Sequence, residues 1–208
     1  MARIAEQRNL VPLEVTTPSL PAWAISRVAW LGTVDLPGKP RTPFLGHGQA
    51  QLSTSERAEL QRQRAELEAI VKPGPFNDEW QAKLGLVAKM LLVYPAAGTT
   101  EKGAEARGEA YLYALDDLPA WAVNAAIRKW HRGQVGNIER FSTVNLDYRW
   151  APSPAVLRAA VERVLQEPLD RLNTVVTLLE VRPLDELMNE HYLGNCFTAQ
   201  RGAVESRS

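Results

Sequence analysis

Residues 114–163 read ALDDLPAWAVNAAIRKWHRGQVGNIERFSTVNLDYRWAPSPAVLRAAVER. This stretch decides the fold class because it holds two helix starts written in independent chemistry. Pro119 suits the first turn of a helix, where its missing N–H would have no partner anyway. Ser153 followed by Pro154 is a capping residue followed by a proline at the first helical position. In the first helix Val123, Ile127 and Trp130 form the apolar side, and Ala122 and Ala126 allow close approach. Arg128, Lys129, His131 and Arg132 fall in its last turn, where cations suit the helix dipole, and Gly133 breaks it. The second helix buries Leu157, Val161, Val164 and Leu165.

The same signals recur upstream. Ser53 and Glu56 have the spacing of a capping box, and a helix rich in good formers follows, stopped by Lys72-Pro73-Gly74-Pro75. A second helix is expected after Asn77 as N-cap. There Trp80, Leu84, Val87, Leu91 and Tyr94 make one stripe, widened by Met90 and Leu92, and Pro95 ends it. A third spans about Thr100 to Leu115 and packs Tyr111, Leu112 and Leu115 at its C-terminal end. Asp116 and Asp117 read as caps of the helix that follows. The segment after Gly133 predicts a short strand or irregular turns.

Downstream, Pro168 is expected to kink or split the last helix. Yet Val161, Leu165, Pro168, Leu172, Val175 and Leu179 alternate by four and three, like a short coiled-coil seam. The seam serves packing within the chain or self-association. Pro183 stops the helix.

Six of the fourteen prolines fall by position 43, so long helices are disfavoured there. Trp23, Ile25, Val28, Trp30 and Leu31 nonetheless make an apolar patch that disordered segments lack. Its segment AWAISRVAWLG forms a short helix or strand, packed on the chain's own core or on a partner. The expected protein is therefore all-α: a small bundle of about five helices over 53–182, a proline-rich extended arm over 1–52 and a polar, flexible tail over 183–208.

Composition bounds the function. The chain has 208 residues, 45% hydrophobic and 23% charged, with a formal net charge of zero. A zero balance gives no global steering toward nucleic acid or an anionic membrane. The one cysteine, Cys196, permits no internal disulfide. No stretch is apolar for the ~20 residues a membrane span needs. The first residues, MARIAEQRNLVPLEV, lack the pattern of a secretory signal. A cytoplasmic protein is the expectation.

Chemical motifs are absent rather than present. His47, His131 and His191 lack metal-ligand spacing, and Gly103 to Gly108 lacks the lysine and Ser/Thr of a phosphate loop. No nucleophile elbow or dinucleotide fingerprint occurs. The expectation is no catalysis, no cofactor and no metal, with a small enzyme built from scattered residues as the weaker alternative.

One asymmetry remains. From Arg128 to Arg163 seven basic residues stand against three acidic, and from Val164 to Glu190 six acidic against two basic. The basic segment is interleaved with Trp130, Phe141, Tyr148 and Trp150, as expected where phosphates are gripped and rings stacked. The candidate contacts are Arg128, Lys129, Trp130, Arg132, Arg140, Arg149, Trp150 and Arg158. A solvated surface with dipole-matched helix ends explains the same pattern without a partner.

Tyr94-Pro95 closing a helix, the helix end ALDDLP, the segment AWAVNAAIRKW and then RWAPSPAVLR also carry a resemblance. Over about residues 80–165 the chain resembles the small helical domain of phage-type loaders and inhibitors of replicative helicases, and related prophage replication accessory proteins. It departs from that pattern in the N-terminal arm and in the inserted loop Gly133 to Asp147. The resemblance implies a non-catalytic adaptor in which the helical domain contacts DNA or an initiator and a flexible segment, the arm or the tail, binds a replicative helicase or other replication protein. The alternative is a self-associating structural or phage assembly protein that uses the 161–179 seam.

Overall fold

The computed structural model describes residues 15–34, 42–46, 48–94, 100–135 and 146–189. The chain is mostly helical. In order it runs α1 (Ala22–Val28), β1 (Leu31–Val34), β2 (Thr42–Leu45), α2 (Thr54–Val71), α3 (Phe76–Val93), α4 (Glu101–Ala114), α5 (Ala120–His131), α6 (Pro154–Glu180) and β3 (Arg182–Pro183), with a further helical segment over 184–189. The helices expected after Ser53, Thr100, Pro119 and Ser153 are all present. The three-stranded sheet was not foreseen: its strands are four residues long or shorter, too short to show a period of two.

The helix starts follow their chemistry. Ser53 and Glu56 close a reciprocal capping box: Ser53 N donates to Glu56 Oε2 at 2.9 Å, and Glu56 N to Ser53 Oγ at 3.3 Å. The Ser53 bonds, backbone first, hold the Glu56 carboxyl below its ordinary value. Thr100 Oγ1 accepts from Gly103 N at 3.2 Å, and Ser153 Oγ from Val156 N at 3.3 Å. Two caps differ from expectation. The second helix begins at Phe76, so Asn77 lies inside it, and Glu79 takes the Gly74 N–H at 3.0 Å instead. Neither aspartate caps α5: Asp117 is bound by Arg158, and the first N–H of α5, on Ala120, reaches across to Glu79 at 2.6 Å. Pro168 lies within α6, which runs unbroken for 27 residues.

The chain forms two compact units. The first takes the residues up to Thr17 and Glu66–Asp170, and the second Pro18–Ala65 with the chain from Arg171 onward, so the division falls within α2 and within α6.

The first unit is the helical bundle. Val87 and Met90 of α3, Tyr111 and Leu115 of α4, Val123, Ile127 and Trp130 of α5, and Leu157, Val161 and Leu165 of α6 make one core. Burying each leucine contributes about 2 kcal/mol. The Tyr111 hydroxyl reaches this core polar-end satisfied, donating to the Pro152 carbonyl. Trp121 Nε1 likewise donates to Ile70 O at 2.8 Å.

The second unit is built on the proline-rich arm. β1 pairs antiparallel with β2, Leu31 opposite Leu45 and Gly32 opposite Phe44, and β2 pairs parallel with β3. A Cβ on Gly32 would stand 2.6 Å from the tip of the Phe44 ring, so any larger residue there must displace that ring. Helix side chains serve the arm's carbonyls: Arg171 bonds Pro18 O at 2.7 Å, Gln63 bonds Ser19 O at 3.3 Å and Arg27 bonds Ala50 O at 2.7 Å. Polar fixation of this kind lets a segment without long helices stay ordered. Trp23 turns inward toward Glu59, whereas Ile25 and Trp30 stay exposed.

The seam residues Val161, Leu165, Pro168 and Val175 are buried and Leu172 and Leu179 half-buried, so that stripe serves packing in the chain. Residues 190–208, with His191 and Cys196, lie outside the described residues, as do Arg140 and Phe141. No helix of the described residues is long and apolar enough to cross a membrane.

Candidate functional site

Of the basic, aromatic segment, Trp130, Tyr148 and Trp150 come together at the C-terminal end of α5. Gly133, at φ +66°, reverses the chain there, a conformation that glycine adopts without strain. The N–H groups of Arg132, Gly133 and Gln134 return to Lys129 O and Trp130 O, so the helix end is closed by its own backbone. Trp130 is 3% exposed, and its Nε1 donates to Trp150 O at 3.1 Å. Its ring lies 4.8 Å from that of Tyr148. Trp130 therefore holds the 146–152 segment against the bundle. One residue on, His131 stacks on Tyr94 at 5.5 Å and shares a 3.0 Å hydrogen bond with its hydroxyl. Burial pushes the Tyr94 hydroxyl pKa up.

The candidate cations separate into different environments. Arg158 is spent on the fold. It grips Asp117 with two bonds of 2.6 and 2.8 Å, donates to Ala114 O at 2.7 Å and meets Glu162 at 3.0 Å. Its bonds to Asp117, chiefly, raise its own pKa and hold the Asp117 carboxyl below its ordinary value. Arg149 is exposed but paired locally, with Nη2 at 2.8 Å from Asp147 Oδ2. That pairing draws Asp147 down to about 2. Arg128 is half-buried and engaged within the chain. Lys129 and Arg132 are exposed, and Trp150 is 52% exposed. Arg140 lies outside the described residues.

Between α5 and α6 a cleft of about 130 Å³ is lined by Lys129, Gln134 and Arg163 over Ala126, Val135 and Ala160. Arg163 is engaged within the chain, and the exposed Lys129 and Gln134 are donors of the kind a phosphate group takes. Gln134 escaped the sequence reading because an uncharged amide adds nothing to a charge balance. Arg163 was in that balance, but only the packing of α6 on α5 sets it beside Lys129.

A second ionisable cluster was not foreseen. Lys83, among the residues of the apolar stripe of α3, is 1% exposed. Its Nζ donates to Leu115 O at 2.9 Å and Asp116 O at 2.8 Å, and lies 3.9 Å from Glu79. Burial pushes its pKa down, against the pull of Glu79 and the two aspartates. Its protons are committed to carbonyls of the turn between α4 and α5, so it fixes that turn. Its neighbour Glu79 accepts from both flanking turns, at Gly74 N and Ala120 N. Among the described residues no three His, Cys, Asp or Glu side chains converge as a metal site would require.

Comparison with protein-family models, with curated proteins and with solved structures gives no match for this chain.

Proposed function

We propose that this chain is a non-catalytic accessory protein of DNA replication, of the kind that works on a ring helicase, and that it grips the DNA backbone at the α5–α6 cleft. One observation supports this most: the exposed Lys129 and Gln134 line one cleft, at the helix end that also exposes Arg132. Trp150, anchored through its carbonyl to Trp130, offers an exposed ring for stacking on a base. The helicase part of the reading rests on the resemblance over residues 80–165.

The test is fluorescence anisotropy of labelled single- and double-stranded DNA over a salt series, with Lys129→Ala/Arg132→Ala as the variant. The wild type binds with a salt-dependent affinity. The variant binds more weakly on every sequence, with a salt slope smaller by about two, one per lost phosphate contact. Stability moves by less than about 0.5 kcal/mol, since both residues are exposed. A salt-insensitive or absent DNA shift, together with no capture of a replicative helicase, overturns the proposal.

A further inference from the structure

The first unit carries a second surface of opposite character. Phe76, Trp80 and Leu84 lie at four-residue spacing along one edge of α3, and Tyr113 of α4 meets the middle of that row. The rings form a ladder: Phe76 stacks on Trp80 at 5.9 Å, and Trp80 meets Tyr113 edge-on at 6.5 Å. Phe76 is 70% exposed, Tyr113 69% and Leu84 41%. Contiguous exposed rings of this kind mark an interaction surface rather than scattered surface residues.

The charge beside the ladder says what fits it. Phe76 and Trp80 wall a cleft of about 120 Å³ whose charged groups are Glu79, Lys83 and Asp116. Two carboxylates stand against one cation there: the Lys83 ammonium is turned to Leu115 O and Asp116 O, Glu79 accepts from Gly74 N and Ala120 N, and the exposed Asp116 carboxylate accepts from Asp117 N through one oxygen. Glu109, one turn before Tyr113 on α4, adds another exposed carboxylate. A phosphate backbone would be repelled here, and a second copy of the same face would set carboxylates against carboxylates.

We propose that the Phe76–Trp80–Tyr113 face docks a cationic, amphipathic segment of a partner protein. Its apolar side chains lie along Phe76, Trp80 and Leu84. A lysine or arginine stands over the Trp80 ring, where the cation meets the negative π face, with Asp116 and Glu109 beside it. This surface does not depend on the α5–α6 cleft, and it stands or falls independently of DNA binding.

The test uses the full chain and a fluorescein-labelled amphipathic peptide of ~18 residues with leucine and lysine at helical spacing. Controls are the same peptide with glutamate for lysine, and labelled oligo-dT. The lysine peptide binds and the glutamate peptide does not. Phe76→Ser/Tyr113→Ser weakens binding at least about tenfold, and both rings are exposed enough for the fold to survive, as circular dichroism checks. Glu109→Lys/Asp116→Asn, which leaves the rings in place, also weakens it. The proposal is overturned if the lysine peptide does not bind, or binds the ring variant equally. It is also overturned if the ring variant loses oligo-dT affinity, which would make this a nucleic-acid face. Conversion of a wild-type dimer to a monomer by that variant, seen by sedimentation, would make it a self-association face and equally overturn it.

Discussion

Two helix ends in the first unit solve the same problem differently, and the difference decides which cations are left to act. The last carbonyls of any helix lack intrahelical partners. At the end of α5 they are served by the backbone: Gly133 turns at φ +66° and the N–H groups of 132–134 fold back. At the end of α4 no glycine follows, and Leu115 sits at φ −120°. There Leu112 O and Leu115 O accept the backbone N–H groups of Leu115 and Leu118, and side chains of other helices add to them: Arg158 of α6 bonds Ala114 O, and Lys83 of α3 bonds Leu115 O and Asp116 O. Lys83 and Arg158 are thereby consumed by the fold, while Lys129 and Arg132 at the self-closed end face solvent.

The sharpest way to break the contrast is Lys83→Met. It leaves Asp116 O without a donor, Leu115 O with the Leu118 N–H alone and Glu79 without its cation, and should cost about 2 kcal/mol. Urea denaturation followed by circular dichroism measures it as a lowered midpoint at unchanged slope. A midpoint within error of wild type would mean that water serves the α4 end. The pH dependence gives a second reading. Lys83 has its folded pKa below the ordinary 10.5, so between those values the unfolded chain binds more protons. Wild-type stability therefore gains from this group as pH rises toward 10.5, and Lys83→Met removes that contribution.

Arg158→Ala should cost less, about 1.5 kcal/mol, because the Asp117 carboxylate is largely in water and screened. Asp117 has its folded pKa lowered below the ordinary 3.8. Its stabilisation is present above 3.8 and is lost as pH falls through the folded value. Arg158→Ala should flatten this acid limb while leaving the neutral-pH slope alone. An unchanged limb would show that Arg158 is not what holds Asp117 ionised.

Gly133→Ala tests the self-closed end. A side chain at φ +66° costs about 1 kcal/mol. If the α5 end opens in response, the effect extends to Trp130 and Tyr148, whose packing follows the reversal, and near-ultraviolet circular dichroism records it.

These cases show what the sequence could carry. Capping residues and apolar spacing are local, so the helices after Ser53, Thr100, Pro119 and Ser153 were legible from a few residues each. The sheet was not, because β1 and β2 are four residues each and β3 joins them from more than a hundred residues away, Arg182 beside Phe44. For the candidate site the segment was legible and the roles were not. Arg158 and Lys129 are equally cationic residues on amphipathic helices. What distinguishes them is Asp117, 41 positions from Arg158. Lys83 lies among the residues of the apolar stripe of α3 without belonging to it and carried no expectation, since the carbonyls it serves lie 32 and 33 positions on.

The smallest expected effect on stability comes from Asp147→Asn, and it bears on function. Arg149 is held by the Asp147 carboxylate two residues before it, through Nε at 2.9 Å and Nη2 at 2.8 Å. Both groups are at the surface, so the pair contributes little to the fold. Arg149 is flanked by Tyr148, which packs on Trp130, and by Trp150, whose carbonyl Trp130 holds. Its position beside the basic end of α5 is thus fixed by the backbone rather than by the ion pair. Neutralising Asp147 removes a negative charge from that end and frees the guanidinium for a phosphate. DNA affinity at low salt should rise, and the salt slope should steepen by about one, with the thermal midpoint unchanged. An affinity that does not move would assign Arg149 to the solvated surface and confine the basic contact to Lys129, Arg132 and the α5–α6 cleft.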